Sequence, residues 1–117
     1  MGVIKKGSSK QINEALLEER CVLNRVLKLM GKRWLAEVLL LVENGVCRFS
    51  QLKTSIDGIS DNVLSNSLNT LLSAGLVTKT IHQQVPLKVE YRLSNSGKKL
   101  LILLHGLCDW GKENIEA

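Results

Sequence analysis

Short polar side chains recur between residues 60 and 73 at a spacing that would place them on one face of a helix. They are Asn62, Ser65, Asn66 and Asn69. Amide and hydroxyl groups both donate and accept hydrogen bonds, as the edges of DNA bases require. Asn and Ser are mediocre helix formers, so a whole face built from them suggests that contact chemistry outweighed helix propensity. The pattern predicts a base-reading face, and simple solvation of a surface helix is the alternative.

Positive charge flanks this face in sequence, although none falls between residues 60 and 74. We expect the flanking cations and two serines to hold phosphates while the neutral face reads bases, because phosphate contacts set register and base contacts specify. These residues are Arg48, Ser50, Lys53, Ser60, Lys79, Lys88 and Arg92. The formal net charge of +5 agrees with a polyanionic partner. Ordinary solvated surface charge is the alternative.

Two predicted helices would position these groups. Ser60 is a suitable N-cap for a helix to residue 74, whose inner positions are Leu64, Leu68, Leu71 and Leu72. Ser50 is a suitable N-cap for a shorter helix that ends near Gly58, after an extended segment over residues 46–49. Two short helices joined by a tight turn are typical of a helix-turn-helix.

Two strands follow, over residues 76–82 and 88–93, joined by a turn that contains Pro86. In the second strand the alternation predicts that Val89, Tyr91 and Leu93 face inward and that Lys88, Glu90 and Arg92 face outward. The predicted fold class is therefore mainly α with a small β-hairpin, a winged helix-turn-helix.

Helices are also predicted on both sides of this unit. A first helix runs from about residue 9 to 20, and a second apolar stretch to Gly31 could continue it. Another helix covers about residues 32–43, and Ser94 caps the last one. The terminal helices carry surplus apolar surface, which we expect to be buried in a homodimer. The predicted interface residues are Leu16, Leu101, Leu104, Cys108 and Trp110.

Size and composition restrict the protein class. With 117 residues, 44% of them hydrophobic, the chain predicts one domain over residues 9–117 after a flexible N-terminus at residues 1–8. No run is long enough for a signal peptide or a membrane span, so we expect a cytoplasmic protein without membrane contact. Three cysteines without paired spacing make a disulfide framework improbable.

No enzyme class is indicated. The sequence contains no Gly-rich phosphate loop and no evident nucleophile with a His partner, so neither catalysis nor a cofactor is expected. His105 and Cys108 lie three residues apart and could share a metal ion with a second chain, but a packed helix explains both, and no metal is expected.

A longer set of motifs, in order and at uninterrupted spacing, resembles HxlR-type regulators from about residue 21 to residue 111. The motifs include Gly31-Lys32-Arg33-Trp34, Arg48-Phe49-Ser50-Gln51-Leu52, Gly58-Ile59-Ser60, Val85-Pro86 with Val89-Glu90-Tyr91, and Trp110-Gly111. The resemblance implies a dimeric DNA-binding transcriptional regulator that pairs through its terminal helices and lays its hairpin along the minor groove. Two recognition helices about 34 to 36 Å apart would fit a pseudo-palindromic operator.

The resemblance also draws attention to Cys21. Many HxlR-type proteins carry a cysteine at this place, and in some it senses oxidants, quinones or aldehydes. A proline usually follows, whereas Val22 stands here. A small reactive effector is thus one hypothesis, and an inert cysteine is the other. A winged helix that binds protein instead of DNA is the alternative to the function as a whole.

Overall fold

The computed structural model describes residues 9–115, with side chains described from residue 13 onward. The predicted flexible segment over residues 1–8 lies outside the described residues. The elements are α1 (Ser9–Met30), α2 (Leu35–Glu43), α3 (Phe49–Ser55), α4 (Asp61–Ser73), β1 (Val77–His82), β2 (Lys88–Leu93) and α5 (Asn95–Asn114). This mainly helical order with one antiparallel hairpin confirms the predicted fold class. Single-domain behaviour of residues 9–117 stays a prediction.

The chain divides into two compact units, one up to Arg33 and one from Trp34 onward. The first unit is α1, so the apolar stretch beyond residue 20 continues the first helix without a break. Most of its described apolar side chains are exposed, among them Leu16, Leu23 and Leu27, whereas Leu29 and Met30 are half-buried. Apolar side chains at this spacing form one apolar face along the helix.

The second unit begins with α2, which starts at Leu35 and not near Lys32 as predicted. Trp34 has a left-handed backbone conformation with φ of 79°, and a helix cannot run through it. At the other end Gly45 has φ of 89°, and its N–H donates to the carbonyl of Val42 at 3.1 Å. Such an ending satisfies the last carbonyls and turns the chain towards α3.

The start of α3 also differs from the prediction. Arg48 is the N-cap in extended conformation, and its N–H donates to the side-chain oxygen Oε1 of Gln51 at 3.3 Å. Ser50 therefore lies inside the first turn of α3, exposed, and the predicted N-cap at Ser50 is wrong. Phe49 was predicted to be extended, but it is the first residue of α3 because the N-cap is Arg48. Gln51, at the third helical position, accepts the N-cap amide hydrogen as in a capping box. In the sequence, the neighbouring Ser50 was the more obvious candidate for a cap.

The two strands pair in antiparallel register, with Val77 opposite Leu93 and His82 opposite Lys88. The Tyr91 N–H donates to the carbonyl of Cys47 at 2.8 Å, which fastens the hairpin to the segment before α3. The core of this unit collects one face of every helix and the inner hairpin. Its buried apolar residues are Leu35, Val38, Leu39, Val42, Leu52, Ile56, Ile59, Leu64, Leu68, Leu71, Leu76, Val77, Tyr91 and Leu101.

The packing of α5 shows that one residue was wrongly assigned to the dimer interface. Leu101 is only 1% exposed within the single chain, because α5 packs against α2 and β2, so Leu101 belongs to the core and not to a dimer interface. Leu104 is half-buried, while Cys108 and Trp110 are exposed as the interface prediction requires. The apolar surface of α5 also includes Ile102, Leu103 and Leu107. No described helix combines the length and hydrophobicity that crossing a bilayer requires.

The start of α5 is held by a dense set of contacts. Ser94 Oγ accepts from the Gly97 N–H at 3.0 Å, which confirms the predicted cap, and donates to the carbonyl of Gly75 at 2.6 Å. A Cβ added at Gly97 would collide with the carbonyl oxygen of Leu76. Only glycine therefore lets α5 approach the end of α4.

We expect Gly97→Ala to lower the free energy of unfolding by about 1 to 3 kcal/mol, because the backbone of Leu76 must shift. Gly106→Ala on the same helix is the matched control, since a Cβ there has no neighbour within 4 Å. It should raise the free energy of unfolding by about 0.5 to 1 kcal/mol. Urea unfolding of both variants measures the difference, and equal effects would contradict this packing.

Candidate nucleic-acid interface

The orientation of α4 is set by its two ends and its buried side. At the start, the Val63 N–H donates to the Ser60 Oγ at 3.1 Å, which confirms the predicted N-cap. Leu64, Leu68 and Leu71 are at most 1% exposed, and these three side chains hold the helix in the core. Gly75, with φ of 73°, ends it. The opposite side of α4 must consequently face away from the core.

That opposite side is the polar face predicted from the sequence. Asn62, Ser65, Asn66 and Asn69 are all exposed. None of their side chains makes a hydrogen bond or ion pair with another residue in the part of the chain that the structure describes. Their donors and acceptors are therefore open to an external ligand. The backbone carbonyl of Asn66 is engaged separately, by the Thr70 hydroxyl at 2.9 Å.

The turn between α3 and α4 brings the two helices of the motif together. Ile56 and Ile59 are buried on either side of Gly58, whose φ is 82°. Across this turn, Lys53 Nζ lies 3.5 Å from the Asp61 carboxylate, with both side chains substantially exposed. An exposed pair of this kind contributes little to stability and can open towards another anion. Lys53 thus remains next to the start of the polar face.

On the hairpin, two of the predicted phosphate-binding cations surround a carboxylate. Glu90 Oε1 lies 2.9 Å from His82 Nε2 and 3.3 Å from Arg92 Nη2, and Glu90 Oε2 lies 3.6 Å from Lys88 Nζ. The Cys47 thiol adds a fourth contact at 3.7 Å. The Glu90 side chain is only 12% exposed, although it lies on the predicted outer face with Lys88 and Arg92. The strand alternation is kept, but the segment at Cys47 covers this part of its outer face.

This cluster keeps the carboxylate charged. The His82 hydrogen bond lowers the pKa of Glu90 from 4.5 to about 2, with Lys88, Arg92 and the Cys47 thiol acting in the same direction against desolvation. Glu90 is therefore ionised throughout the physiological range. On the other side of β2, burial raises the pKa of the Tyr91 hydroxyl.

The other predicted phosphate-binding residues are distributed around α4. Arg48 is half-buried at the N-terminus of α3, and Ser50 follows on the exposed side of the same turn. Lys79 is exposed on β1 and has no ion pair among residues 13–115. Ser60 uses its oxygen as a cap, which leaves its hydroxyl hydrogen available. These residues remain predicted DNA contacts.

Apart from Cys47 and His82, which both contact Glu90, the described cysteines and histidines lie apart from one another. Cys21 and Cys108 are exposed and Cys47 is half-buried, all with free thiols. His105 Nε2 lies 2.8 Å from Glu43 Oε1 instead of sharing a ligand with Cys108. Within the described residues, no three His, Cys, Asp or Glu side chains come together in a way that could hold a metal ion.

Two helices joined by a tight turn, an outward polar face on the second helix and an attached hairpin define a winged helix-turn-helix protein. Residues 29–117 match the HxlR-like helix-turn-helix family. The chain belongs to the HxlR family, which confirms the resemblance seen in the sequence, and it is a DNA-binding transcriptional regulator.

Individual relatives of the chain are also named as transcriptional regulators. An HTH-type transcriptional regulator of Halalkalibacterium halodurans is 40% identical over 89 residues, which cover 75% of this chain and 79% of that protein. A solved regulator assigned to the MarR family, from Enterococcus faecalis V583, superimposes with a TM-score of 0.76 at 29% identity, covering 80% of this chain and 86% of the other. The reduced form of YodB from B. subtilis gives 0.74 at 26% identity, covering 80% and 91%, and YodB has also been solved after diamide treatment.

Proposed function

We propose that this regulator binds as a homodimer to a pseudo-palindromic operator, with α4 of each copy in the major groove. The observation that carries the proposal is the exposed face of α4, whose amide and hydroxyl groups have no partner among the described residues. Asn can form two hydrogen bonds to adenine in the major groove, and Ser can meet several base edges. Asn62, Asn66 and Asn69 are the leading base-reading residues.

The contacts with the DNA backbone are made by residues around the polar face of α4. Arg48 and Ser50 lie at the N-terminus of α3, and Ser60 caps α4. Lys53 lies in the last turn of α3, next to Asp61. Lys79, Lys88 and Arg92 lie on the hairpin. Helix N-termini and cations both favour phosphate. Because these contacts do not depend on base identity, they should supply most of the affinity and its dependence on salt.

Pairing of two copies follows from the uncovered apolar side chains of α1 and α5. Leu16 on α1 is exposed, as are Leu103, Leu107 and Trp110 on α5. Exposed apolar surface of this extent on two helices favours burial against a partner, and a twofold copy is the commonest one. A twofold pair would present two α4 helices to one face of the duplex.

Thiol sensing is the regulatory part of the proposal. Cys21 is exposed on α1, within the helix that we assign to pairing, so modification there would disturb the dimer. The similarity to YodB, which was solved in reduced and diamide-treated forms, is consistent with thiol-dependent regulation in proteins of this fold. The proposed effector is a small electrophile or oxidant.

We expect Asn66→Ala to reduce the preference for operator over random duplex by about 1 to 3 kcal/mol, because one base contact is lost. Lys79→Gln is the comparison: it should weaken both duplexes equally and lower the salt slope by about one. Fluorescence anisotropy on both duplexes measures this. If both variants reduced operator and random binding alike, α4 would not be the reading helix.

We expect Leu107→Glu to shift the protein from dimer to monomer, because a charge buried in the interface costs on the order of a few kcal/mol, about 100-fold in the dimer dissociation constant. Val85→Glu is the control, since Val85 is 99% exposed in the hairpin turn. Sedimentation equilibrium should give 13.0 kDa for the first variant and twice this mass for the second. If the Leu107→Glu variant remained dimeric, the exposed apolar surface of α5 would not form the interface.

We expect Cys21→Ser to abolish release of the operator by benzoquinone, which adds to thiols and leaves serine unmodified. Cys108→Ser, which removes another exposed thiol, should still respond. Operator anisotropy before and after treatment gives the comparison. A response that persists in Cys21→Ser and disappears in Cys108→Ser would place the sensor on α5.

A further inference from the structure

The hairpin carries its positive charge around a half-buried acid. Lys88, Glu90 and Arg92 alternate along β2 and therefore share one face of the strand, and His82 lies opposite Lys88 on the same face. The carboxylate is within 3.6 Å of a nitrogen of each of the other three. Two of the five cations that were predicted to hold phosphates thus already have an anion between them.

The exposures show how an approaching phosphate would meet this cluster. Arg92 is 66% exposed and Lys88 is 33% exposed, whereas Glu90 is 12% exposed. The cations are accessible, and the carboxylate is enclosed beside the Cys47 segment. A phosphate can contact the cations, but it also experiences repulsion from the carboxylate that they surround. Their net attraction is consequently smaller than that of two unpaired cations.

We propose that Glu90 limits the affinity of the hairpin for the DNA backbone, whatever the sequence, by pairing internally with Lys88 and Arg92. This inference rests on the proposed DNA-binding function. Backbone affinity is independent of sequence, so each cation that is offset within the protein lowers binding to random DNA. Base contacts from α4 are untouched by Glu90, so the internal pairing lowers the affinity for operator and for random duplex by the same factor.

The Glu90 carboxylate remains charged at physiological pH. The hydrogen bond from His82, together with both cations, holds the pKa of Glu90 at about 2. Protonation therefore does not release Lys88 and Arg92 under physiological conditions. The charges on this face of the hairpin are those of Glu90, Lys88 and Arg92, with His82 and the Cys47 thiol as the other titratable groups facing the carboxylate.

The test is Glu90→Gln, which removes the charge and keeps the shape. Binding to a fluorescein-labelled duplex of random sequence is followed between about 50 and 200 mM salt. We expect tighter random-duplex binding and a salt slope steeper by about 0.9 for each cation released, up to about 1.8 for both. Over this range the additional loss of affinity with salt would be about 3- to 12-fold. A random-duplex affinity and slope equal to those of the wild type would overturn the inference.

Glu43→Gln is the matched control, because Glu43 also bonds a histidine, His105, and its replacement changes the net charge by the same amount. Glu43 lies at the end of α2 and not on the hairpin. We expect its salt slope to equal that of the wild type. If it steepened the slope as much as Glu90→Gln does, overall charge would explain the effect, and the specific role of Glu90 would be refuted.

A second variant decides the matter if Glu90→Gln does not fold, which thermal unfolding will show. In Arg92→Gln, with Glu90 retained, the random-duplex slope should fall by less than half of the 0.9 or so that an unpaired cation contributes. A fall by the full value would overturn the inference. Failure of the wild type to bind any duplex would instead overturn the proposed function, so the two failures are distinguishable.

Discussion

The burial of three leucines on one side of α4 is the constraint on which the proposed DNA-binding surface depends. Leu64, Leu68 and Leu71 are almost fully buried, and they orient the helix so that Asn62, Ser65, Asn66 and Asn69 must point outward. An Asn and Ser surface contributes little to helix stability by itself. The packing of the leucines stabilises α4 instead. The residues of the polar face can consequently be those that suit its ligand.

The hairpin depends on a second set of contacts that connects it to the same unit. The Tyr91 amide bonds the Cys47 carbonyl, and the Glu90 carboxylate meets the Cys47 thiol and three basic side chains. A hairpin of two strands is marginal alone, so these contacts and the buried Tyr91 ring stabilise its position. In the role that we propose for Glu90, the same contacts also decide how much of the hairpin's charge is available to DNA. Stability and charge are thus coupled through Glu90.

Local signals predicted much of this fold, and the failures occur where distant parts of the chain meet. Ser60, Gly75 and the alternation of β2 depend on neighbours in sequence, so the α4 cap and both strands were correct. The N-cap of α3 was misplaced because Gln51 satisfies the Arg48 amide, which allows the helix to begin before Ser50. Leu101 was assigned to the interface because α5 is apolar on several sides, and periodicity alone does not show which side meets α2. Glu90 is half-buried where it contacts Cys47, 43 residues away in sequence, and no local pattern predicts this contact.

Selection of duplexes from a fully randomised library, with the wild-type protein at physiological salt, tests the central claim most directly. A dimer that reads DNA with two outward α4 faces should enrich an inverted repeat whose half-site centres are about 10 to 10.5 base pairs apart. Enrichment of no sequence above the starting library, with binding that is independent of salt, would contradict the account.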